Sequence, residues 1–329
     1  MKEAKQRRIL PAVILPVLLI LLFLGILFHR SISLLIDNLT VGKLPMDTLE
    51  EWDRGTSLKG IAYADASPAQ YLDLYIPADM EHPRLLVLIH GGGFLFGDSD
   101  TRQVRWMYRY FRDHGYAVAS VNYRLAEEAP YPAALEDCRS ALRFLRENAD
   151  TYGYSADRIA LFGESAGGYL ATMCSVAGEE RIAVLIDYYP YIEPTMLRQD
   201  LRDMGFPYPF YLLANNWLIG STDGFEDFDS CWHRRNFSEM TEEERAEANP
   251  LSYISASSEN LRDLSVYLIH GDADITVPYA SSVRLFEALS DVLPASRLTF
   301  RTEPGMGHAS DPLYREEILE EIDQFIQAH

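Results

Sequence analysis

Cysteine and positive charge are both scarce in this sequence. The three cysteines, Cys138, Cys174 and Cys231, lie far apart, are odd in number and match no metal-ligand spacing. We therefore expect ordinary buried thiols, with one disulfide as the alternative. Lys and Arg total 29 against 49 Asp and Glu, a formal net charge of −20 that would repel a phosphate backbone. A nucleic-acid partner is therefore not expected.

Repeats and low-complexity segments are also absent from the 329 residues, of which 48% are hydrophobic. This composition is not that of a disordered chain, and the length suits a single α/β domain with a large core.

One long hydrophobic run stands at the N-terminus. Basic residues between Lys2 and Arg8 precede Ile9 to Phe28, where every residue is apolar, proline or glycine. A helix needs about 20 such residues to cross a membrane. We predict that residues 1–30 form a cytoplasmic basic end and a transmembrane anchor, which leaves the rest of the chain outside. A cleaved signal peptide, giving a secreted protein, is the alternative.

The remainder is divided into a connector, residues 31–58, and a domain, residues 59–329. Short apolar runs alternate there with amphipathic stretches, which is typical of a mostly parallel sheet covered by helices. The predicted strands are Ile61–Tyr63, Tyr71–Ile76, Leu85–His90, Tyr116–Asn122, Ile159–Phe162, Ala183–Tyr188, Val266–His270 and Leu298–Arg301. The predicted helices are Thr101–His114, Ala133–Asn148, Ala166–Ala177, Tyr279–Leu293 and Leu313–Gln327.

A stretch of about 65 residues, 191–257, breaks this alternation. Insertions of such length between strands are usually functional. It is rich in aromatic residues and ends in the acidic run from Glu242 to Glu247. We interpret it as a cap over the active site, whose aromatic side chains either form an acyl or aryl pocket or pack the cap onto the sheet.

The strongest local motif runs from Gly163 to Gly168, GESAGG, between an apolar strand and the start of a helix. A nucleophile held clear of its backbone on a strand-turn-helix elbow requires small neighbours, and Gly163 and Gly167 meet that demand. Ser165 is therefore the predicted nucleophile.

A second motif, HGGGF from His90 to Phe94, follows another apolar strand. Negative charge that develops on a substrate oxygen must be met by pre-placed N–H donors, and consecutive glycines can turn their amides inward. The predicted oxyanion donors are the N–H groups of Gly92, Gly93 and Ala166. A merely tight turn is the alternative.

The base and the acid should follow the nucleophile in the order acid, then histidine. Of the eight histidines, His308 alone lies in a glycine-flanked loop after the last predicted strand, so it is the predicted base. Asp272 and Asp274 follow the preceding strand. Asp274 is the preferred acid because Asp272 better suits a turn. His90 and His270 end strands and are expected to hold loops through hydrogen bonds.

With these motifs in order, the sequence resembles the α/β-hydrolase superfamily from about Gly60 to the C-terminus. HGGGF, VNYRL at Val121 and GESAGG resemble the acetylesterase and hormone-sensitive-lipase-like group. LDLYIP at Leu72 and HGDADITVP at His270 are closer to acetylxylan and feruloyl esterases and to prolyl-oligopeptidase-type hydrolases. The resemblance implies an eight-stranded, mostly parallel sheet with helices on both faces and a cap, and hydrolysis without a metal or organic cofactor.

The sequence thus predicts a serine carboxylesterase that acts on short-chain acyl or acetyl esters through an acyl-enzyme. An amidase, aryl formamidase or peptidase-like hydrolase on the same triad is one alternative, and a non-catalytic binding module of the same fold is another. A small-molecule ester and, through the N-terminal helix, a membrane are the expected partners. No oligomeric state is predicted.

Overall fold

The computed structural model describes residues 55–193, 196–205, 241–255 and 257–329. The predicted anchor, nearly all of the predicted connector and the aromatic middle of the cap lie outside these residues. Within the described ranges, no helix is both long enough and apolar enough to cross a membrane.

Eight strands of the described residues form one sheet. They are β1 Gly55–Ala62, β2 Tyr71–Pro77, β3 Arg84–Ile89, β4 Ala117–Val121, β5 Ser155–Glu164, β6 Ile182–Tyr188, β7 Ser265–Gly271 and β8 Leu298–Glu303. Their order across the sheet is β1-β2-β4-β3-β5-β6-β7-β8. The strand β2 runs antiparallel to β1 and β4, and every pairing from β4 to β8 is parallel. The predicted eight-stranded, mostly parallel sheet is therefore confirmed.

The first strand is longer than the apolar pattern indicates. It begins at Gly55, inside the segment predicted as a connector, and its exposed residues pair with β2 across an irregularity between Leu58 and Ile61. A strand with little buried surface carries a weak sequence signal, because burial is what produces the alternation of apolar and polar residues.

Five long helices occupy the positions predicted for them, with ends displaced by at most three residues. The described α-helices are α1 Arg102–Asp113, α2 Ala133–Glu147, α3 Ala149–Tyr152, α4 Ala166–Ala177, α5 Leu197–Asp203, α6 Glu242–Glu247, α7 Ala280–Ser290 and α8 Glu316–Ala328. Three of them, α3, α5 and α6, are short, and the last two belong to the predicted cap.

Two hydrophobic clusters cover the two faces of the sheet. Alternate residues of β3 divide between them: Leu85, Val87 and Ile89 pack on the side of α2, α4 and α7. Leu86 and Leu88 pack on the side of α1 and α8. Burial on both faces explains why β3 is continuously apolar, and each such side chain contributes about 1.5–3 kcal/mol by leaving water.

The parallel strands end at a common edge of the sheet, where Ile89 lies opposite Gly163 and Glu164 lies opposite Tyr188. Ligands in open α/β sheets bind outside the carboxyl ends of the strands. All the loops that carry predicted site residues leave the sheet at this edge. The fold therefore brings together residues that are as far apart in sequence as 92 and 308.

Candidate active site

Ser165 occupies a strained turn between β5 and α4. Its backbone has φ 53° and ψ −118°, a conformation that residues other than glycine rarely adopt. Such strain costs on the order of 1–3 kcal/mol and persists only where neighbours enforce it. The Ser165 N–H donates to the carbonyl of Tyr188 at 2.9 Å, which ties the turn to β6.

The glycines around Ser165 are required by close backbone contacts. A Cβ on Gly163 would lie 2.3 Å from the carbonyl oxygen of Gly167. A Cβ on Gly167 would lie 2.3 Å from the carbonyl oxygen of Ile89. The first turn of α4 therefore packs directly on the ends of β5 and β3, as the predicted elbow requires.

Strained backbone is concentrated at this edge of the sheet. Five described residues other than glycine have positive φ, and four of them are Phe94, Ser165, Tyr189 and Ala309. Phe94 follows the HGGGF glycines, Tyr189 follows β6, and Ala309 follows His308. Clustered strain of this kind is characteristic of functional sites.

A continuous chain of hydrogen bonds joins three predicted residues. His308 Nε2 lies 3.0 Å from Ser165 Oγ, and His308 Nδ1 lies 2.7 Å from Asp274 Oδ2. A carboxylate only accepts, so a neutral His308 carries its proton on Nδ1 and accepts the Ser165 hydroxyl at Nε2. The arrangement can take a proton from the serine as it attacks a carbonyl.

Asp274 is fully buried and receives four hydrogen bonds. Its Oδ1 accepts the N–H groups of Thr276 at 2.8 Å and Val277 at 2.9 Å, and its Oδ2 accepts from His308 and from His270 at 3.1 Å. Burial alone would raise the pKa of Asp274, but the facing His308 and the bonds from both histidines lower the pKa below its usual range. The carboxylate therefore stays ionised at neutral pH.

The structure brings Asp274, and not Asp272, to His308. Asp272 Oδ1 instead accepts the N–H of Gly305 at 2.7 Å and so holds the turn that leads to His308. This is the turn role expected for it.

His270 and His90 hold loops, as expected from their positions at strand ends. The Nε2 of His270 faces the Asp274 carboxylate and the Val277 carbonyl, so it carries the proton, and Nδ1 accepts the Ser282 hydroxyl at 2.7 Å. His90 Nδ1 donates to the carbonyl of Gly91 at 2.7 Å. Burial lowers the pKa of His90 to about 4, which keeps its ring neutral.

Residues 90–97 form a loop between β3 and α1, here called the glycine loop. Gly92 has φ 110° and Gly93 has φ 61°. A Cβ on Gly92 would lie 1.9 Å from the carbonyl oxygen of Phe96, so only glycine fits there. Among the described residues, the N–H groups of Gly92 and Gly93 have no hydrogen-bond acceptor. Ala166 is the first residue of α4, where an N–H has no acceptor within the helix.

Two groups beside Ser165 and His308 were not predicted from the sequence. Glu164, the residue before Ser165, is buried, and its Oε2 is hydrogen-bonded to the hydroxyls of Tyr189 and Tyr314 at 2.5 and 3.1 Å. The ring of Tyr189 meets the ring of His308 edge-on at 4.7 Å between centroids. The only local signal was a charged residue between Gly163 and Ser165, at a position where the motif accepts any residue type.

Other ligand chemistry is sparse in the part of the chain that the structure describes. No cluster of three or more His, Cys, Asp or Glu side chains there could hold a metal ion. A cavity of about 550 Å³ lies between α2, α4 and the cap helix α6, and it is not lined by Ser165, His308 or Asp274.

Comparison with known proteins finds similarity to lipases and esterases. Residues 72–200 match the BD-FAE family model. Lipase 2 of Moraxella sp. (strain TA144) is 44% identical over 88 residues, which are 27% of this chain and 20% of that protein. Ethyl acetate hydrolase of Pseudomonas putida is 32% identical over 138 residues, or 40% and 43% of the two chains. Mouse hormone-sensitive lipase is 37% identical over 103 residues, or 30% and 13%. The matched segments thus cover less than half of each of these relatives.

Solved structures resemble more of the chain. A truncated carbohydrate esterase from gut microbiota has a TM-score of 0.67 and 19% identity, and the match covers 83% of this chain and 95% of that one. A thermophilic esterase of the planctomycete Thermogutta terrifontis has a TM-score of 0.59 and 22% identity, covering 84% and 92%. At such identities the likeness establishes the fold, which is that of the α/β-hydrolases.

Proposed function

We propose that this chain, a member of the α/β-hydrolase superfamily by fold and by its esterase relatives, is a serine carboxylesterase acting on short-chain acyl or acetyl esters. The observation that carries the proposal is the hydrogen-bonded chain from Ser165 through His308 to Asp274. Relatives named as lipases, esterases and an ethyl acetate hydrolase support the reaction type.

The first half-reaction acylates the serine. Ser165 Oγ attacks the ester carbonyl while His308 Nε2 takes the hydroxyl proton, and a tetrahedral intermediate forms. Its oxyanion is met by the N–H groups of Gly92, Gly93 and Ala166. Collapse expels the alcohol, which leaves with the proton that His308 returns, and the acyl group remains on the serine.

The second half-reaction releases the acid. Water attacks the acyl-enzyme as His308 takes its proton, and the same amides bind the second oxyanion. Breakdown of this intermediate frees the carboxylic acid and restores the Ser165 hydroxyl. Throughout, the buried Asp274 carboxylate fixes the imidazole tautomer and stabilises the imidazolium that forms twice in each cycle.

Replacement of the nucleophile tests this proposal. The variant S165A should lose activity on p-nitrophenyl acetate, and a fluorophosphonate probe should label the wild type at Ser165 and nowhere in S165A. Ser175 on the same helix donates to the carbonyl of Ala171, so S175A is a matched control that should keep activity and labelling.

Each contrary result has a distinct meaning. Wild-type activity in S165A would reject the mechanism. A well-folded wild type that the probe does not label and that hydrolyses no ester would identify a non-catalytic binding module. Faster turnover of anilides or N-formyl anilines than of the matched esters would identify an amidase or aryl formamidase.

We also propose that residues 9–28 anchor the enzyme in a membrane with its catalytic domain on the extracytoplasmic side. The support is the unbroken apolar run and the basic residues that precede it. Full-length protein expressed in cells should stay in the membrane pellet after alkaline carbonate extraction and should keep its first residues by intact mass. A mature protein that begins after residue 28 would identify a cleaved signal peptide instead.

A further inference from the structure

A buried carboxyl group lies behind the nucleophile and touches the glycine loop. Glu164 is 4% exposed. Its Oε1 accepts the N–H of Gly91 at 3.3 Å, and its Oε2 is hydrogen-bonded to the hydroxyls of Tyr189 at 2.5 Å and Tyr314 at 3.1 Å. None of these contacts belongs to the proton chain between Ser165 and Asp274, so the mechanism leaves Glu164 without a role.

These bonds connect Glu164 to both sides of the reacting centre. On one side is Gly91, where an added Cβ would lie 3.0 Å from the Glu164 carbonyl oxygen and 3.2 Å from Ser165 Cβ. The Gly91 N–H donates to Glu164 and is therefore not available to a substrate. The N–H groups of Gly92 and Gly93, which have no acceptor among the described residues, remain available. On the other side is Tyr189, whose ring contacts the His308 ring. Glu164 therefore connects the glycine loop, through Gly91, to the Tyr189 ring that packs against His308.

We propose that Glu164 is a positioning residue, which sets the glycine loop and the His308 ring relative to Ser165 by hydrogen bonding and not by charge. The inference rests on the proposed esterase function and assigns to it a residue outside the triad and the oxyanion donors. Donors misplaced by a fraction of an ångström lose much of their effect on a developing oxyanion.

The number of available protons indicates that Glu164 works as a neutral group. Its Oε2 and the hydroxyls of Tyr189 and Tyr314 form a triangle, with 2.5 Å between the two tyrosine oxygens. Two phenol protons can fill only two of the three contacts, whereas a proton on Oε2, donated to one tyrosine, fills the third and leaves Oε2 accepting from the other tyrosine. Burial raises the pKa of Glu164, which also favours the neutral form, and outweighs the hydrogen bonds and the nearby His308 that lower the pKa. A glutamine side chain, neutral and of the same shape, should therefore replace Glu164 well.

The test compares E164L, which removes the hydrogen bonds at similar volume, with E164Q, which keeps the capacity to form them. We expect kcat of E164L for p-nitrophenyl acetate to fall by about 10- to 100-fold with KM little changed, because removing a whole oxyanion donor costs about 10²–10³. Inhibition by phenylboronic acid, which forms a tetrahedral adduct on the serine, should weaken by a similar factor. E164Q should restore most of kcat and of the boronate affinity.

Asp323 offers a matched control for the loss of a buried carboxyl group. It is 8% exposed and accepts the Tyr116 hydroxyl at 2.6 Å on the far side of the sheet from the cap. D323L should lower the melting temperature and leave kcat unchanged. The inference is overturned if E164L behaves like D323L, if its boronate affinity stays at the wild-type value, or if E164Q is as impaired as E164L.

Two further variants keep the result interpretable. If E164L does not fold, Y314F removes one hydroxyl that is hydrogen-bonded to Glu164 while keeping the ring. Y314F should lower kcat by about 3- to 10-fold, which is less than the effect of removing a whole oxyanion donor. An unchanged kcat in Y314F would then overturn the inference.

S165A separates the two proposals. Activity that persists in S165A rejects the esterase mechanism. Activity that is lost in S165A but kept in E164L rejects only the role of Glu164.

Discussion

At the scale of single residues, the choice between two neighbouring aspartates is the sharpest test of the candidate site. D274N would still accept from Thr276 and Val277 but could hold His308 in the wrong tautomer. We expect kcat to fall by about 10⁴, the effect known for this change in a serine protease triad. The matched variant D272N keeps an oxygen for the Gly305 N–H and should leave kcat near the wild-type value. Steady-state kinetics that show the reverse order would assign the acid to Asp272.

A second residue-scale prediction concerns Asp187, a fully buried carboxyl group near the end of β6. Its Oδ2 accepts the Thr172 hydroxyl, whereas its Oδ1 has no partner among the described residues. Burial raises the pKa of Asp187 well above its usual value and outweighs the Thr172 hydrogen bond, which lowers the pKa. The unfolded state therefore releases its proton at a lower pH than the folded state does.

The sign of the pH effect follows from this difference. Below the unfolded pKa of about 3.9 both states are protonated, and above it the ionised unfolded state is increasingly favoured until the folded group also ionises. D187N removes this penalty, so its free energy of unfolding should exceed that of the wild type by more at pH 8 than at pH 5. Urea titrations at both values check this. D137N, which weakens the buried pair with Arg124, should be less stable than the wild type at both.

The residues that sequence reasoning found and those that it missed differ in where their signal lies. Ser165, Gly92 and His308 can be identified from the sequence by their glycine neighbours, because the backbone there needs space or positive φ. Tyr189 has no such signal: it follows an apolar strand, and its place beside His308 depends on β6 and β8 being brought to one edge. A residue whose role comes only from tertiary contacts cannot be identified from its own segment.

At the scale of elements, the first turn of α4 has no space for an added side-chain atom at Gly167. Alanine normally stabilises a helix over glycine by about 1 kcal/mol. At Gly167 the added Cβ would meet two carbonyl oxygens at the end of β3, at 2.3 and 2.4 Å, so the backbone must move. We expect G167A to destabilise the protein by about 2 kcal/mol or more and to reduce kcat, since the shift displaces Ser165.

Gly153 provides the comparison for this variant. It has φ 81° and nothing within 4 Å of an added Cβ. G153A should therefore cost only the left-handed backbone energy of about 1–2 kcal/mol and leave kcat unchanged. Thermal unfolding with kinetics on both variants would distinguish a steric effect at the elbow from a general intolerance of glycine replacement.

The strands and helices were predictable where their burial requires a regular pattern of apolar residues in the sequence. The parallel strands β3, β4, β6 and β7 are buried and largely apolar, and the five long helices each carry an apolar face, so their positions could be predicted to within a few residues. The short helix α6 begins with a capping box between Thr241 and Glu244, a signal that an acidic run obscures. β1 and α5 bury few side chains, and pattern alone does not find such elements.

At the scale of the whole molecule, the distribution of charge separates the N-terminus from the rest. Residues 1–30 contain five Lys or Arg and one Asp or Glu, so the remaining chain has 24 positive against 48 negative residues, a formal net charge of −24. A domain this acidic is repelled by anionic lipid headgroups. Any membrane attachment should therefore depend on the N-terminal run and not on the catalytic domain.

Removal of residues 1–30 tests this division. The eight strands that the structure describes and the candidate site lie after residue 54, so the shortened protein should fold and keep the kcat and KM of the full chain. It should remain unbound when mixed with phosphatidylglycerol vesicles in flotation experiments at low salt, whereas the full chain reconstituted in the same lipid should float. Flotation of the shortened protein would show that the domain has a membrane-binding surface of its own, and loss of its activity would show that the N-terminal segment contributes to the fold.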